Sequence, residues 1–303
     1  MQTPKPDTAP SPLAASDAAQ TAEAQPTAEE LIDGYDFKGA TFDLNEPADR
    51  DILCFILSQA LFGEATGVYC GRSLYSARSL EAARFYTRQA RQELGHLQLF
   101  ADIFRELGLS PQPPHWVIRL LSAHNNYYPL KVLMEHAIGE GMVLDIFKDL
   151  LLQTLPDSDP RVPGIKKKLR VVVREEAEHV AWGEKETLAM LQEKPWLRAP
   201  FMGLVDLQLS TLPLLVGRLR GTRPDHPVLS QLVPFVEHVR QRVRRQSRKL
   251  GFYPEQEAPR WKRGLAMAAG TILFARSQLA RSRSSLDKNY LSELGFEAAP
   301  PRS

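Results

Sequence analysis

The chain has 303 residues, of which 43% are hydrophobic and 24% charged, with a formal net charge of +2. That length can bury a full core in one large domain, or in one domain with a helical annex, and no uninterrupted apolar run is expected to cross a bilayer. The only cysteines, Cys54 and Cys70, lie in one apolar helix-like stretch, too far apart to pair, which argues against a disulfide scaffold and a Cys-rich zinc or iron–sulfur site.

The first thirty residues are rich in Ala, Pro, Thr and Ser, the composition of a disordered tail, which is expected to run to residue 45. They carry no apolar h-region behind a basic start, so a cytoplasmic location is the default expectation. Beyond this point nearly every segment reads as helix, with Pro and Gly at helix-length intervals. A first helix runs from about Pro47 to about Ser76. A second follows Ser79, a good N-cap, and stops near Gly108. The stretch 109–126 is a long connection with a short helix near Val117–Ser122. A third helix opens at Pro129 and closes before Pro156; a fourth follows the loop Pro156–Pro163 and ends before Pro195. Further helices are expected at about 200–221, 227–250 and 259–283, bent or broken by Pro213 and Pro234. The expected plan is all-α: four long helices over 46–194, then a basic helical extension over 195–303.

Two short motifs carry the chemistry, ELGH at Glu93–His96 and EAEH at Glu176–His179. Each sets a Glu and a His three residues apart, on one helix face. One such pair arises easily by chance; two on separate helices carry more weight. Two lone acids extend the pattern. Glu64 sits in ILSQALFGEATGVY and Glu140 in EHAIGEGMVLDIF, both inside apolar helices. A carboxylate buried among such neighbours costs several kcal/mol unless it is paired or bound to metal. The order is Glu, then Glu-x-x-His, repeated once, which is the donor arrangement of dinuclear carboxylate bundles. Carboxylates can bridge two divalent ions, and one imidazole per ion suits iron or manganese while leaving positions for dioxygen. Glu178 is expected to point away from the ligand face.

With these motifs, residues 47–193 resemble the ferritin-like di-iron carboxylate superfamily, and most nearly its phenylacetyl-CoA oxygenase and tRNA-hydroxylase branches. The resemblance implies a four-helix bundle holding two Fe ions (Mn/Fe and Mn/Mn being alternatives), with dioxygen as co-substrate. Glu64, Glu93 and His96 would serve one ion and Glu140, Glu176 and His179 the other, with one or more carboxylates bridging. It also implies that Gln92 and Glu175 hydrogen-bond His179 and His96 respectively. His136, one turn before Glu140, is read as an extra ligand, a proton relay or, more readily, a helix-face hydrogen bond. Phe100 stands where a radical-bearing Tyr would sit, Val172 where a third His would sit, and Val143 and Leu144 where many hydroxylases carry a Thr. There is no Cys-x-x-Cys module of the rubrerythrin kind.

Glycines crowd the ligands: Gly63, Gly67, Gly95, Gly139, Gly141 and Gly183. Each mid-helix Gly costs about 1 kcal/mol relative to Ala, which points to close helix approach, a substrate cavity or a π-bulge. The expected function is a di-iron oxygenase or oxidase acting on an organic substrate, hydrophobic or carrier-bound. An iron-handling ferritin-like protein (ferroxidase or store) and a tRNA-modifying hydroxylase are the alternatives. No flavin, NAD or iron–sulfur motif is present, so electrons are expected from a separate reductase or ferredoxin. The basic run Arg240, Arg242, Arg244, Arg245, Arg248 and Lys249, continued by Arg260, Lys262, Arg263, Arg276, Arg281 and Arg283, reads as a solvated face or as a site for an anionic carrier or a membrane surface. Nucleic acid ranks lower, because no aromatics are interleaved with the charges. A homodimer is left open.

Overall fold

In the computed structural model, Ser79 accepts a hydrogen bond from Ala82 N at 3.0 Å to open one helix, and Gly108, at φ 59°, closes it. The described residues are 34–77, 79–121, 127–220, 223, 225–254 and 258–279. They contain eight helices, a short 3₁₀ turn at Pro195–Leu197 and no strand. These are α1 (Pro47–Gly67, tightening into a 3₁₀ stretch at Val68–Ser76), α2 (Leu80–Leu107), α3 (Trp116–Leu121), α4 (128–154), α5 (Val162–Glu193), α6 (Arg198–Arg220), α7 (Pro227–Lys249) and α8 (Arg260–Leu279). Prolines in the first turns of α1, α4, α5 and α7 fit positions where a backbone N–H is not needed.

Pro213 and Pro234 neither break α6 nor α7; both helices run through them. Around Pro234, the buried Val228, Leu229, Leu232, Phe235 and Val239 hold the helix against the core on both sides of the missing hydrogen bond. Helix α4 is irregular in a different way. Val132–Gly139 and Ile146–Leu151 are π-helical, with widened turns, and the first of these ends immediately before Glu140.

The expected tail ends earlier than residue 45. Its first 33 residues lie outside the described residues, but 35–45 pack against the core: Phe37, Phe42 and Leu44 are buried. Tyr35 N donates to Asp149 Oδ2 at 2.9 Å and Phe37 N to Gln153 Oε1 at 3.1 Å, so α4 side chains satisfy this backbone. The tail composition belongs to the first thirty residues, and these three apolar anchors lie beyond them. The C-terminal helices join the same body, since Tyr35 onward is one unit. Asp49 at the start of α1 accepts from His226 Nε2 at 2.9 Å. Arg242 Nε donates to Asp145 Oδ2 at 2.7 Å, and Gln246 Nε2 to Ala137 O at 2.8 Å.

Two segments, each interrupted by polar residues, are long and apolar enough to cross a membrane by length and composition only, Pro47–Ser73 and Pro195–Gly217. In the first, 67% of the apolar window is buried inside the protein, and in the second 50%.

Candidate metal centre

Glu64 from α1, Glu93 and His96 from α2, Glu140 from α4, and Glu176 and His179 from α5 meet in the interior; none is more than 8% exposed. Ligand atoms of Glu64, Glu93, His96 and Glu176 lie within 4.8 Å of one another, as do those of Glu93, Glu140 and His179. Glu93 belongs to both groups. Its carboxylate oxygens lie 3.7 Å from His96 Nδ1 and 3.6 Å from His179 Nδ1. Glu176 spans the same gap, 3.2 Å from His96 Nδ1 and 3.5 Å from His179 Nδ1. These two glutamates sit between the histidines, and Glu64 and Glu140 cap the ends.

Both imidazoles turn Nδ1 inward and Nε2 outward. Glu175 Oε2 accepts from His96 Nε2 at 2.9 Å, and Gln92 Oε1 accepts from His179 Nε2 at 2.9 Å. Such outer partners fix the tautomer that leaves the inner nitrogen available as a ligand. His136 makes the helix-face contact, its Nδ1 lying 3.1 Å from Glu140 Oε1. Phe85 stacks on Trp182 with centroids 3.7 Å apart, and meets the edges of His136 and His179.

Three polar participants were missed in the sequence. Gln89, fully buried, donates from Nε2 to Glu140 Oε1 at 2.6 Å. It lies one turn before Glu93 on the same face of α2, a signal that spacing alone offered. Lys131 donates to both oxygens of Glu135, at 2.8 and 2.9 Å. Glu135, His136 and Glu140 form a third Glu/His group, but Lys131 already supplies its cation.

The electrostatics of the cluster call for positive charge. Burial, and then the Glu176 carboxylate, push Glu64 and Glu140 well above the usual carboxylate range. Burial favours neutral imidazoles, yet the surrounding carboxylates raise His96 far and His179 less so. Glu176, buried but with His179 Nδ1 at 3.5 Å and His96 Nδ1 at 3.2 Å, is held down at about 2 by the two imidazoles. Protons on the histidines thus stand in for cations among four buried carboxylates. Even so, Glu140 Oε2, Glu176 Oε2 and His179 Nδ1 are buried without a hydrogen-bond partner. Buried polar atoms left without a partner, in groups of carboxylate and imidazole that could hold metal ions, fit such ions in their place.

Two glycines set the spacing. A Cβ on Gly67 would lie 2.5 Å from the Glu93 carboxyl, and one on Gly183 would lie 2.7 Å from Ala137 N. Gly63 and Gly95 face open space within 4 Å and have no such reason.

A cavity of about 280 Å³ reaches the carboxylates of Glu64, Glu93, Glu140 and Glu176. Its remaining wall is mostly apolar and comes from α1, α4, α6, α7 and Phe274 of α8. The C-terminal helices therefore close the space beside the cluster. Several of their basic residues are already engaged: Arg242 with Asp145, Arg263 with Asp206, Arg240 with Glu237 and Lys249 with Glu184. Arg281 and Arg283 lie outside the described residues. The chain matches no family model, no curated protein and no solved structure.

Proposed function

We propose that this chain is a ferritin-like four-helix-bundle oxygenase or oxidase, cytoplasmic, that uses two iron ions to oxidise an apolar organic substrate with dioxygen. Glu64, Glu93, His96, Glu140, Glu176 and His179 would hold the ions, with Glu93 and Glu176 shared between them. Bound there, the ions would supply the electrons that activate dioxygen, replenished by an external reductase or ferredoxin. Glu175 and Gln92 keep the two imidazoles oriented, and Gln89 and His136 hold Glu140 in place. Val143, Met142 and Ile146 keep water from the face of the cluster toward the cavity.

The observation that carries this reading is the apolar wall leading to the carboxylates. An iron store moves hydrated ions and is served by a polar approach; this approach suits a hydrocarbon group. The test is oxygen consumption by protein loaded with Fe(II), with and without apolar additives. Substrate-dependent acceleration and an oxygenated or dehydrogenated product are expected. Accumulation of many irons per chain as mineral, indifferent to additives, would replace the oxygenase with a ferroxidase or store.

Metal affinity should depend steeply on pH. Glu64, Glu140, His96 and His179 all have raised affinities for protons, so uptake of metal must expel those protons. The sign follows: apparent affinity rises with pH, and loading in weak buffer releases protons. Competition with a chelator between acidic and mildly alkaline pH measures it, and a flat profile counts against these ligands.

A further inference from the structure

We infer that the cavity beside the cluster takes a single extended alkyl chain ending in a neutral hydrogen-bond donor, a long-chain primary alcohol being the simplest example. Calling that ligand a substrate rests on the oxygenase reading; its binding does not.

Shape argues for a chain. Residues from Leu130 to Leu150 of α4 line the cavity, a run of about 30 Å at ~1.5 Å per residue. A volume of about 280 Å³ along such a run accommodates one extended chain. Phe147, Leu150, Leu232 and Phe235 line the part remote from the cluster, so the tail would lie against side chains that gain from covering it.

The polar end is set by Gln208 in the same wall. It is 2% exposed, and its Nε2 donates to Met134 O at 3.3 Å. That bond fixes the amide's orientation, since a carbonyl oxygen can only accept. Oε1 is left buried without a partner. Met134 O lies beside Gly139, whose Cβ would approach it to 2.5 Å, and Gly139 adjoins Glu140. The orphaned acceptor therefore stands near Glu140, midway along the Leu130–Leu150 run, and a tail directed toward Leu150 has about 15 Å to cover. A buried acceptor with no donor costs free energy that a ligand O–H would recover. Glu64, Glu93, Glu140 and Glu176 are also acceptors, and the donors in the wall are committed: Gln59 Nε2 to Phe55 O, Thr66 Oγ1 to Phe62 O and the Lys131 ammonium to Glu135. A fatty carboxylate would bring one more anion to a wall of acceptors; an alcohol brings the missing donor.

Calorimetric titration of the metal-free, full-length protein at pH 8 with 1-decanol, decane and decanoate tests this. Decanol is expected to bind about tenfold or more tightly than decanoate, and Gln208→Met to lower decanol affinity about two- to tenfold while leaving decane unchanged. Val143→Trp on α4 and Val216→Trp on α6, chosen on different helices in case one fails to fold, should each abolish binding of all three. Decanoate binding as tightly as decanol, or undiminished binding in both folded Trp variants, would overturn the inference. Metal loading without decanol binding would sink this inference alone, whereas decanol binding without metal uptake would sink the oxygenase reading alone.

Discussion

In Glu93→Ala and in Glu176→Ala, bound metal is expected to fall from about two ions per chain to near zero, whereas Glu64→Ala and Glu140→Ala should each retain about one. The difference comes from position. Glu93 and Glu176 each lie within 3.7 Å of both inward-facing imidazole nitrogens, so removing either takes a donor from both halves. Glu64 contacts only the His96 side, at 2.8 Å, and Glu140 lies 3.7 Å from His179. Metal analysis after anaerobic loading and desalting measures the stoichiometry. Equal losses in all four variants would mean that no carboxylate is shared. Stability gives a second readout with the opposite sign. Burial and neighbouring carboxylates raise Glu64 and Glu140 above their unfolded values, so their ionisation weakens the metal-free fold as pH rises above the ordinary carboxylate range. Metal-free Glu93→Ala, with one buried carboxyl fewer, should melt above metal-free wild type at neutral pH and below metal-loaded wild type. A metal-free variant that melts lower would mean that Glu93 serves the fold rather than the ions.

Gly183→Ala is expected to destabilise the protein by about 1–3 kcal/mol and to loosen the centre, while Gly95→Ala should stabilise it by about 1 kcal/mol. Both glycines lie in helix interiors beside ligands, so propensity alone would favour Ala at both. At Gly183 the added Cβ would meet backbone, 2.7 Å from both His136 C and Ala137 N. Backbone cannot swing aside as a side chain can, so α4 and α5 must part, carrying Glu140 away from Glu176 and His179. At Gly95 nothing lies within 4 Å, and the gain in helix propensity is kept. Urea midpoints with metal content for the two variants form the measurement. Parallel behaviour would show that the α4–α5 approach does not set the spacing of the cluster.

What could be read locally was read from local geometry. Three-residue spacing puts Glu93 with His96, and Glu176 with His179, on one face wherever a helix forms, and the apolar neighbours of Glu64 and Glu140 already implied burial. Gln92 and Glu175 lie next to the motifs and meet the histidines of the opposite helix. Gln89 was within reach of the same reasoning, four residues before Glu93, but a neutral amide on a helix carries no cost that announces it. Phe37, Phe42 and Leu44 were hidden by extending the tail past the residues that carry its composition.

The linear chain thus determined the helical class and the donor types, because helix periodicity and the cost of burying charge act over a few residues. Only the tertiary structure decided that Glu93 and Glu176 stand between both histidines, that Lys131 neutralises Glu135, and that α6 to α8 enclose an apolar cavity ending on the carboxylates. Those features depend on how far apart helices distant in sequence come to rest. The spacing is set where backbone meets backbone at Gly183 and where the π-helical turns of α4 re-aim its side chains, which no periodicity along one helix encodes.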